Sequence, residues 1–231
     1  MDIKGLQKLT LLDYPGKVAC TLFTGGCNFR CPFCQNSDLV ISPKLTPTIE
    51  DDEILSFLQK RRGVLDGICI TGGEPLLQED LPGFIEKCKA LGYLVKLDTN
   101  GFLTERLRPL VEECAVDYIA MDIKTSPERY GVLAGIKNFD VSPILESVEL
   151  IRNGKVDHEF RTTVVGGLHR AEDFVRIGQW LAGEKKYFLQ KFVDSGALID
   201  GRLSPADDET MREYLRIVRE YIPEAQLRGM D

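Results

Sequence analysis

Three thiols, Cys27, Cys31 and Cys34, lie within eight consecutive residues of the stretch "GGCNFRCPFC". No regular helix or strand brings all three sulfurs to one point, so the spacing implies a loop folded around a shared group. Structural zinc takes four closed ligands, usually as two separated pairs. The two histidines, His158 and His169, lie far down the chain, which leaves a zinc pattern incomplete. Iron-sulfur clusters are also usually closed by four thiolates, so three cysteines at this spacing suggest a 4Fe-4S cubane with one iron open to an outside ligand. The other cysteines, Cys20, Cys69, Cys88 and Cys114, are scattered through apolar strand-like and helix-like runs and read as inert core thiols.

Further chemistry-bearing residues come in short sets: "TGGEP" (71–75), "DTNG" (98–101), "MDIK" (121–124), "RTTVVGG" (161–167) and "LQKF" (189–192). Taken alone, "DTNG" is compatible with a simple turn and "TGGEP" with a flexible strand exit. Yet Gly72 and Gly73 also let a ligand approach bare backbone, and Glu74 behind them has the chemistry to hold an ammonium or hydroxyl. Lys124 at a buried strand end needs an anionic partner, and Asp122 is placed to be one. Arg161 has two readings, orienting a carboxylate or pairing with Glu159.

The elements that must position these sets alternate. Residues 17–24, 66–71, 93–99, 116–123, 158–165 and 186–193 are short apolar runs of the kind that form buried parallel strands. Residues 50–62, 80–92, 104–114, 142–153, 171–183 and 207–221 carry apolar positions at helical spacing, several with acidic residues early, where a helix N-terminus favours negative charge. Such alternation predicts an α/β fold with a parallel sheet and right-handed crossovers, doubly wound or curled toward a barrel. Each chemistry-bearing set falls at or just after a strand, where loops converge on one mouth in barrel-like α/β folds. No linker or low-complexity tract interrupts residues 1–231, which read as one domain.

Composition narrows the partners. With 231 residues, 43% hydrophobic and 28% charged, the chain can bury a full core. Its net charge of -7 argues against nucleic acid or an anionic membrane as partner. Met1 leads into "DIKGLQKLT" without an apolar signal core, and no run reaches the roughly 18 apolar residues of a membrane span. The chain reads as cytoplasmic, where closely spaced thiols are more often metal ligands or redox groups than disulfides.

"CNFRCPFC" matches the CxxxCxxC signature of the radical S-adenosylmethionine (SAM) enzymes, with aromatic Phe33 before the last cysteine. "GGEP", "DTNG" and "MDIK" at successive strand ends resemble the activating enzymes of glycyl radical proteins. The stretch "LTLLDYPGKVACTLFTGGCNFRCPFCQN" is most similar to the longer form of the anaerobic ribonucleoside-triphosphate reductase activating proteins. The resemblance covers nearly the whole chain and implies a partial (β/α)6 barrel. It implies that Cys27, Cys31 and Cys34 ligate three irons of a 4Fe-4S cluster, with SAM chelating the fourth through its amino and carboxylate groups. It assigns Gly72, Gly73 and Glu74 to the methionine amino group, Asp122 and Lys124 to the ribose and carboxylate end, and the Phe33 backbone with Val164 to the adenine. Asp98 and Thr99 of the "DTNG" set, which includes Asn100, match with Asp122 the positions where some activases hold a monovalent cation. Where some activases place a histidine on the last core strand, this chain has Gln190. The cysteine-rich insert of other activases is missing from "NSDLVISPKLTPTIEDDEI".

The implied reaction is reductive cleavage of SAM to a 5'-deoxyadenosyl radical, which takes hydrogen from a backbone glycine of a partner glycyl radical enzyme. A small electron-donor protein would supply the electron, and Asp13 in "DYPG" would border the mouth that receives the glycine loop. A radical SAM enzyme acting on a small molecule or RNA base shares every motif. The acidic charge weighs against RNA, and the chain shows no segment for a substrate-enclosing domain. A plain electron-transfer or zinc module explains the thiols but not the strand-end residues.

Overall fold

A computed structural model describes residues 1–194, 196 and 198–230 of the chain. The first elements are β1 (Ile3–Thr10), β2 (Ala19–Thr24), α1 (Ser37–Ile41), α2 (Asp51–Lys60), β3 (Gly67–Gly72), α3 (Leu81–Ala90), β4 (Leu94–Thr99) and α4 (Thr104–Glu112). There follow β5 (Tyr118–Asp122), α5 (Tyr130–Ala134), α6 (Ser142–Asn153), β6 (Asp157–Gly166), α7 (Ala171–Trp180) and β7 (Tyr187–Lys191). The chain closes with β8 (Ser204–Pro205), α8 (Asp208–Arg219) and β9 (Gln226–Arg228). From β2 to β7 each strand is followed by a main helix, namely α2, α3, α4, α6, α7 and α8. These are the six strand-helix units expected from the alternating pattern.

Two compact units emerge, one joining Met1–Asn28, Asp38–Ala120 and Ser142–His158, the other Phe29–Ser37, Met121–Val141 and Glu159–Asp231. In the first unit the strand order is β1-β2-β3-β4-β5; β1 is antiparallel to β2, and β2, β3 and β4 are parallel. Helices cover this sheet with the faces their sequences dictate. Ile54 and Leu58 of α2, Phe84, Ile85 and Cys88 of α3, Leu107, Leu110 and Val111 of α4, and Ile144, Val148 and Ile151 of α6 are all buried. Fully burying one such Leu or Ile contributes about 1.5–3 kcal/mol.

In the second unit β6 and β7 are parallel, β9 adds parallel to β7, and β8 pairs antiparallel with the end of β6. Helices α7 and α8 pack together, with the Phe174 and Tyr214 rings stacked at 4.4 Å. The start of α8 is fixed by Asp207, whose side chain accepts the Thr210 amide at 2.7 Å.

Two features depart from the sequence expectation. Strand β1 was not expected, because it is an edge strand whose middle residues are half-buried or exposed, so "KGLQK" lacks a continuous apolar run. Cys114 is exposed rather than a core thiol. It takes a φ of 51° just past α4, the left-handed position that ends many helices. Cys20, Cys69 and Cys88 are buried as expected, and burial pushes the Cys20 and Cys88 thiols up to about 12.

Candidate active site

In the first unit, two strand exits meet through backbone contacts and a third is tied to them by a side chain. Strand β2 ends at Thr24 and β3 at Gly72, which are paired in register. Beyond them Gly73 N donates to Thr24 O at 2.9 Å and Glu74 N to Gly26 O at 2.8 Å. The approach is so close that a Cβ on Gly73 would stand 1.8 Å from Gly26 O, and Gly72 has a φ of 110°. Both glycines of "TGGEP" are therefore required by geometry as well as open to a ligand.

The Glu74 carboxylate, 1% exposed, reaches across to the exit of β4. It accepts the Thr99 hydroxyl at 2.8 Å, the Asn100 amide N–H at 2.7 Å and the Leu76 N–H at 3.1 Å. Glu74 is thus a clamp between two strand ends. Asn100 extends the clamp to the first cysteine, its Nδ2 donating to Asn28 Oδ1 at 2.8 Å and lying 3.8 Å from Cys27 Sγ. Asn28 Nδ2 is buried without a hydrogen-bond partner. Below Asn100 on β4, buried Lys96 forms an ion pair with Asp98, and its Nζ lies 3.7 Å from Cys69 Sγ.

In the second unit, Cys31 and Cys34 bracket a tight turn closed by Cys34 N donating to Cys31 O at 3.0 Å. The turn is anchored by Arg30 N to Ala134 O at 2.8 Å and by Asp200 N to Pro32 O at 2.9 Å. Phe33 is buried with its ring edge-on to His169, centroids 6.4 Å apart. Burial raises the Cys34 thiol, an effect opposed by the Asn36 backbone hydrogen bond and the cations Lys124 and Arg30.

The charged part of this unit centres on Asp122, which takes Lys124 Nζ at 2.9 Å and Arg161 Nε at 2.6 Å. Asp122 is the partner that Lys124 was expected to need. Arg161 thus meets a carboxylate, that of Asp122, and Glu159 is gripped by Arg228 at 2.6 and 2.8 Å. Burial works against the Asp122 charge, but Arg161 and Lys124 outweigh it and hold the carboxyl well below its usual range. Lys124 is raised for the reciprocal reason, with Asp122 overcoming desolvation. Tyr130 accepts the Lys124 N–H at 3.3 Å and donates to Asp122 O at 3.1 Å.

His169 ties two strand exits together. Its Nδ1 accepts the Val165 N–H at 3.1 Å, and its Nε2, which must then carry the proton, donates to Lys124 O at 2.9 Å. Burial lowers the His169 pKa, favouring the neutral ring. Val164 is fully buried and, by strand alternation, on the opposite face from Arg161 and Thr163. Gln190, half-buried, is in register with Thr163 on one side and Arg228 on the other. Sequence reasoning missed His169 and Lys96. The first looked like a lone histidine, and the second was hidden inside a strand whose last residues drew attention.

Among the described residues, no three His, Cys, Asp or Glu side chains converge as a single metal ion would require. An iron-sulfur cubane takes its thiolates at separate irons and needs no such convergence. The donor set fits such a group: thiols on loops shaped by glycine, and beside Cys27 a buried amide donor without a partner. Residues 21–181 match the family model described as Radical SAM superfamily. The chain belongs to the Radical SAM superfamily. Its cofactors are accordingly a 4Fe-4S cluster and SAM, and it is a radical SAM enzyme.

It is 30% identical, over 99% of its own length and 96% of the relative's, to a Methanocaldococcus jannaschii protein provisionally named a glycyl-radical enzyme activating enzyme. It is 25% identical to the GTP 3',8-cyclase of Alkaliphilus oremlandii, over 65% of this chain and 49% of the cyclase. Among solved structures, Streptococcus suis SuiB bound to S-adenosylmethionine superimposes with a TM-score of 0.64 at 16% identity. That match covers 89% of this chain, which spans about half (48%) of the SuiB chain. The likeness establishes the α/β radical SAM fold. Among the described residues no helix is long and apolar enough to cross a membrane.

Proposed function

We propose that this radical SAM enzyme is a glycyl radical enzyme activase whose substrate is a backbone glycine of anaerobic ribonucleoside-triphosphate reductase. The observation that carries the reading is the end-to-end match to an activating enzyme, at 30% identity over 99% of this chain and 96% of that protein. Residues 1–231 act as a single radical SAM domain in the cytoplasm, served by a small electron-donor protein. The family match at residues 21–181 supports this, since it includes parts of both compact units.

Cys27, Cys31 and Cys34 hold the cluster. When bound, the reduced cluster and SAM supply a carbon-centred radical that removes one hydrogen atom from the glycine Cα, leaving 5'-deoxyadenosine, methionine and a glycyl radical. The chain's own residues bind and orient. Gly72 and Gly73 offer backbone to the methionine amino group, and Glu74 fixes that backbone against Thr99 and Asn100. Asp122 and Lys124 take the ribose and carboxylate end, held in place by Arg161 and Tyr130. The Phe33 backbone, Val164 and Gln190 line the adenosyl side. Holding reactants in one geometry is worth a large share of the barrier, and Glu74, Asp122, Lys124, Phe33 and Val164 are already fixed by a second contact or by burial.

The test mixes reduced, reconstituted protein with SAM and anaerobic reductase carrying deuterated glycine, without oxygen. Deuterium in 5'-deoxyadenosine together with a glycyl radical signal in electron paramagnetic resonance is expected. An inert reductase, with hydrogen transfer from a free nucleotide such as GTP instead, refutes the activase reading and favours the small-molecule one.

A further inference from the structure

A monovalent cation was expected at Asp98, Thr99 and Asp122, and both of the carboxylates are instead paired with cations of the protein. A sodium or potassium ion needs several oxygens that are not already committed to protein cations. Thr99 donates its hydroxyl to Glu74 and accepts the Gly101 N–H at 3.0 Å. Asp122 already faces two cations, Lys124 and Arg161. Asp98 is ion-paired with Lys96, whose side chain is only 2% exposed.

The reason lies in strand alternation. Lys96 and Asp98 are two residues apart on β4 and therefore on one face, while Val95 and Leu97 point to the other. Parallel register sets Thr21, Cys69 and Lys96 side by side across β2, β3 and β4. Thr21 donates to the Asp13 carboxylate, and Cys69 Sγ lies against the Lys96 ammonium. The ammonium thus rises along its own strand to the carboxylate that directly precedes Thr99 and Asn100, the two residues holding Glu74. A buried ammonium is tolerated only with an anion in contact, and a dissolved cation at the same carboxylate would be repelled by it.

We propose that Lys96 is a tethered replacement for the monovalent cation: it sets an ammonium against Asp98, so that the enzyme binds SAM without sodium or potassium. The proposal rests on the SAM site assigned above, and its test includes one measurement that does not need SAM. In calorimetry on reconstituted protein, wild-type affinity for SAM is expected to agree within about twofold between potassium, sodium and N-methylglucamine chloride at equal ionic strength. Lys96→Met is expected to bind SAM about tenfold more weakly in N-methylglucamine, with most of the loss restored by potassium or sodium. Lys96→Arg keeps the charge and is expected to stay indifferent to the salt.

Sodium-23 magnetic resonance on cluster-free protein supplies the independent readout. Saturable line broadening is expected for Lys96→Met and not for wild type. A saturable sodium site in wild type overturns the proposal, as does a tenfold loss of wild-type SAM affinity without alkali ions. Lys96→Met with unchanged affinity in all three salts also overturns it and leaves the pair with a purely structural role. If SAM binds in none of the salts, the SAM site is misassigned, and the sodium signal still decides the tether. If Lys96→Met does not fold, the wild-type salt series and sodium signal decide alone.

Discussion

Cys27 stands on a loop fixed by backbone and amide groups, with Gly26, Gly72 and Gly73 in contact and Asn100 reaching its sulfur. Cys31 and Cys34 stand in a turn near fixed charges, with Lys124 and Arg161 on Asp122. The first arrangement depends on the absence of side chains at Gly72 and Gly73, so it is intolerant of added volume there. The second depends on ionised groups, so it tolerates some change of shape but not loss of charge. The two regions should therefore fail in different ways.

The largest effect comes from the thiols themselves and should be the same in both regions. Cys27→Ala and Cys31→Ala are each expected to reduce bound iron from about four per chain to near zero after anaerobic reconstitution. Cys88→Ala, which removes a buried thiol beneath the sheet, should keep the cluster. Iron and sulfide analysis with the visible absorption spectrum checks all three. A normal cluster in either site variant would break the ligand assignment.

The next effect separates the regions. In Gly73→Ala the new Cβ meets a backbone oxygen at 1.8 Å, so strand exits must part, at about 3 kcal/mol in unfolding free energy. Gly83→Ala, on α3 with nothing within 4 Å of the new Cβ, should instead be neutral or stabilise by about 0.5–1 kcal/mol. Urea unfolding at pH 7 and 8, where Glu74 stays ionised, should show the Gly73 penalty unchanged, because the clash is with a backbone oxygen.

Asp122→Asn should behave in the opposite way. The folded protein holds this carboxyl below its ordinary value of 3.8. Its stabilisation is therefore complete above that value and is lost as pH falls through the lower folded value. With Asp122 about 29% exposed, the variant is expected to be about 2 kcal/mol less stable than wild type at pH 7. That gap should close in strong acid. A gap that persists at low pH would mean shape, not charge, holds this region together.

Much of this contrast was readable in the sequence, but unevenly. The strands and helices of all six repeating units were legible because burial on one or both faces forces long apolar periodicity. The thiols, "TGGEP" and "MDIK" were legible because unusual residue types sit at strand exits. Strand β1 was not, since an edge strand needs only half an apolar face. Glu74 was expected to reach a ligand, and its tie to Thr99 and Asn100 was not visible, because a bond across 25 residues leaves no local pattern. The grip of Arg228 on Glu159 spans 69 residues and was hidden for the same reason.

The smallest effect tests whether the charged region has a second, weaker dependence on pH through His169. The ring is buried against Phe33 and Phe174, with Asp173 favouring its charge and Arg129 opposing it. Desolvation dominates, and the folded pKa lies below the ordinary 6.5. Between those two values the unfolded chain binds more protons than the folded one. Stability should therefore fall as pH drops below 6.5, by at most about 1.4 kcal/mol per pH unit. Above 6.5 the ring is neutral in both states and contributes no slope. His169→Gln keeps a donor for Lys124 O and an acceptor for the Val165 N–H but cannot titrate, so the slope between pH 7.5 and 5.5 should flatten while stability at pH 7.5 changes little. Urea unfolding of both proteins at the two pH values measures it. An equal slope in the variant would place the proton uptake elsewhere and remove His169 from the pH response of this region, leaving it only its role in holding the Lys124 carbonyl and the Phe33 ring.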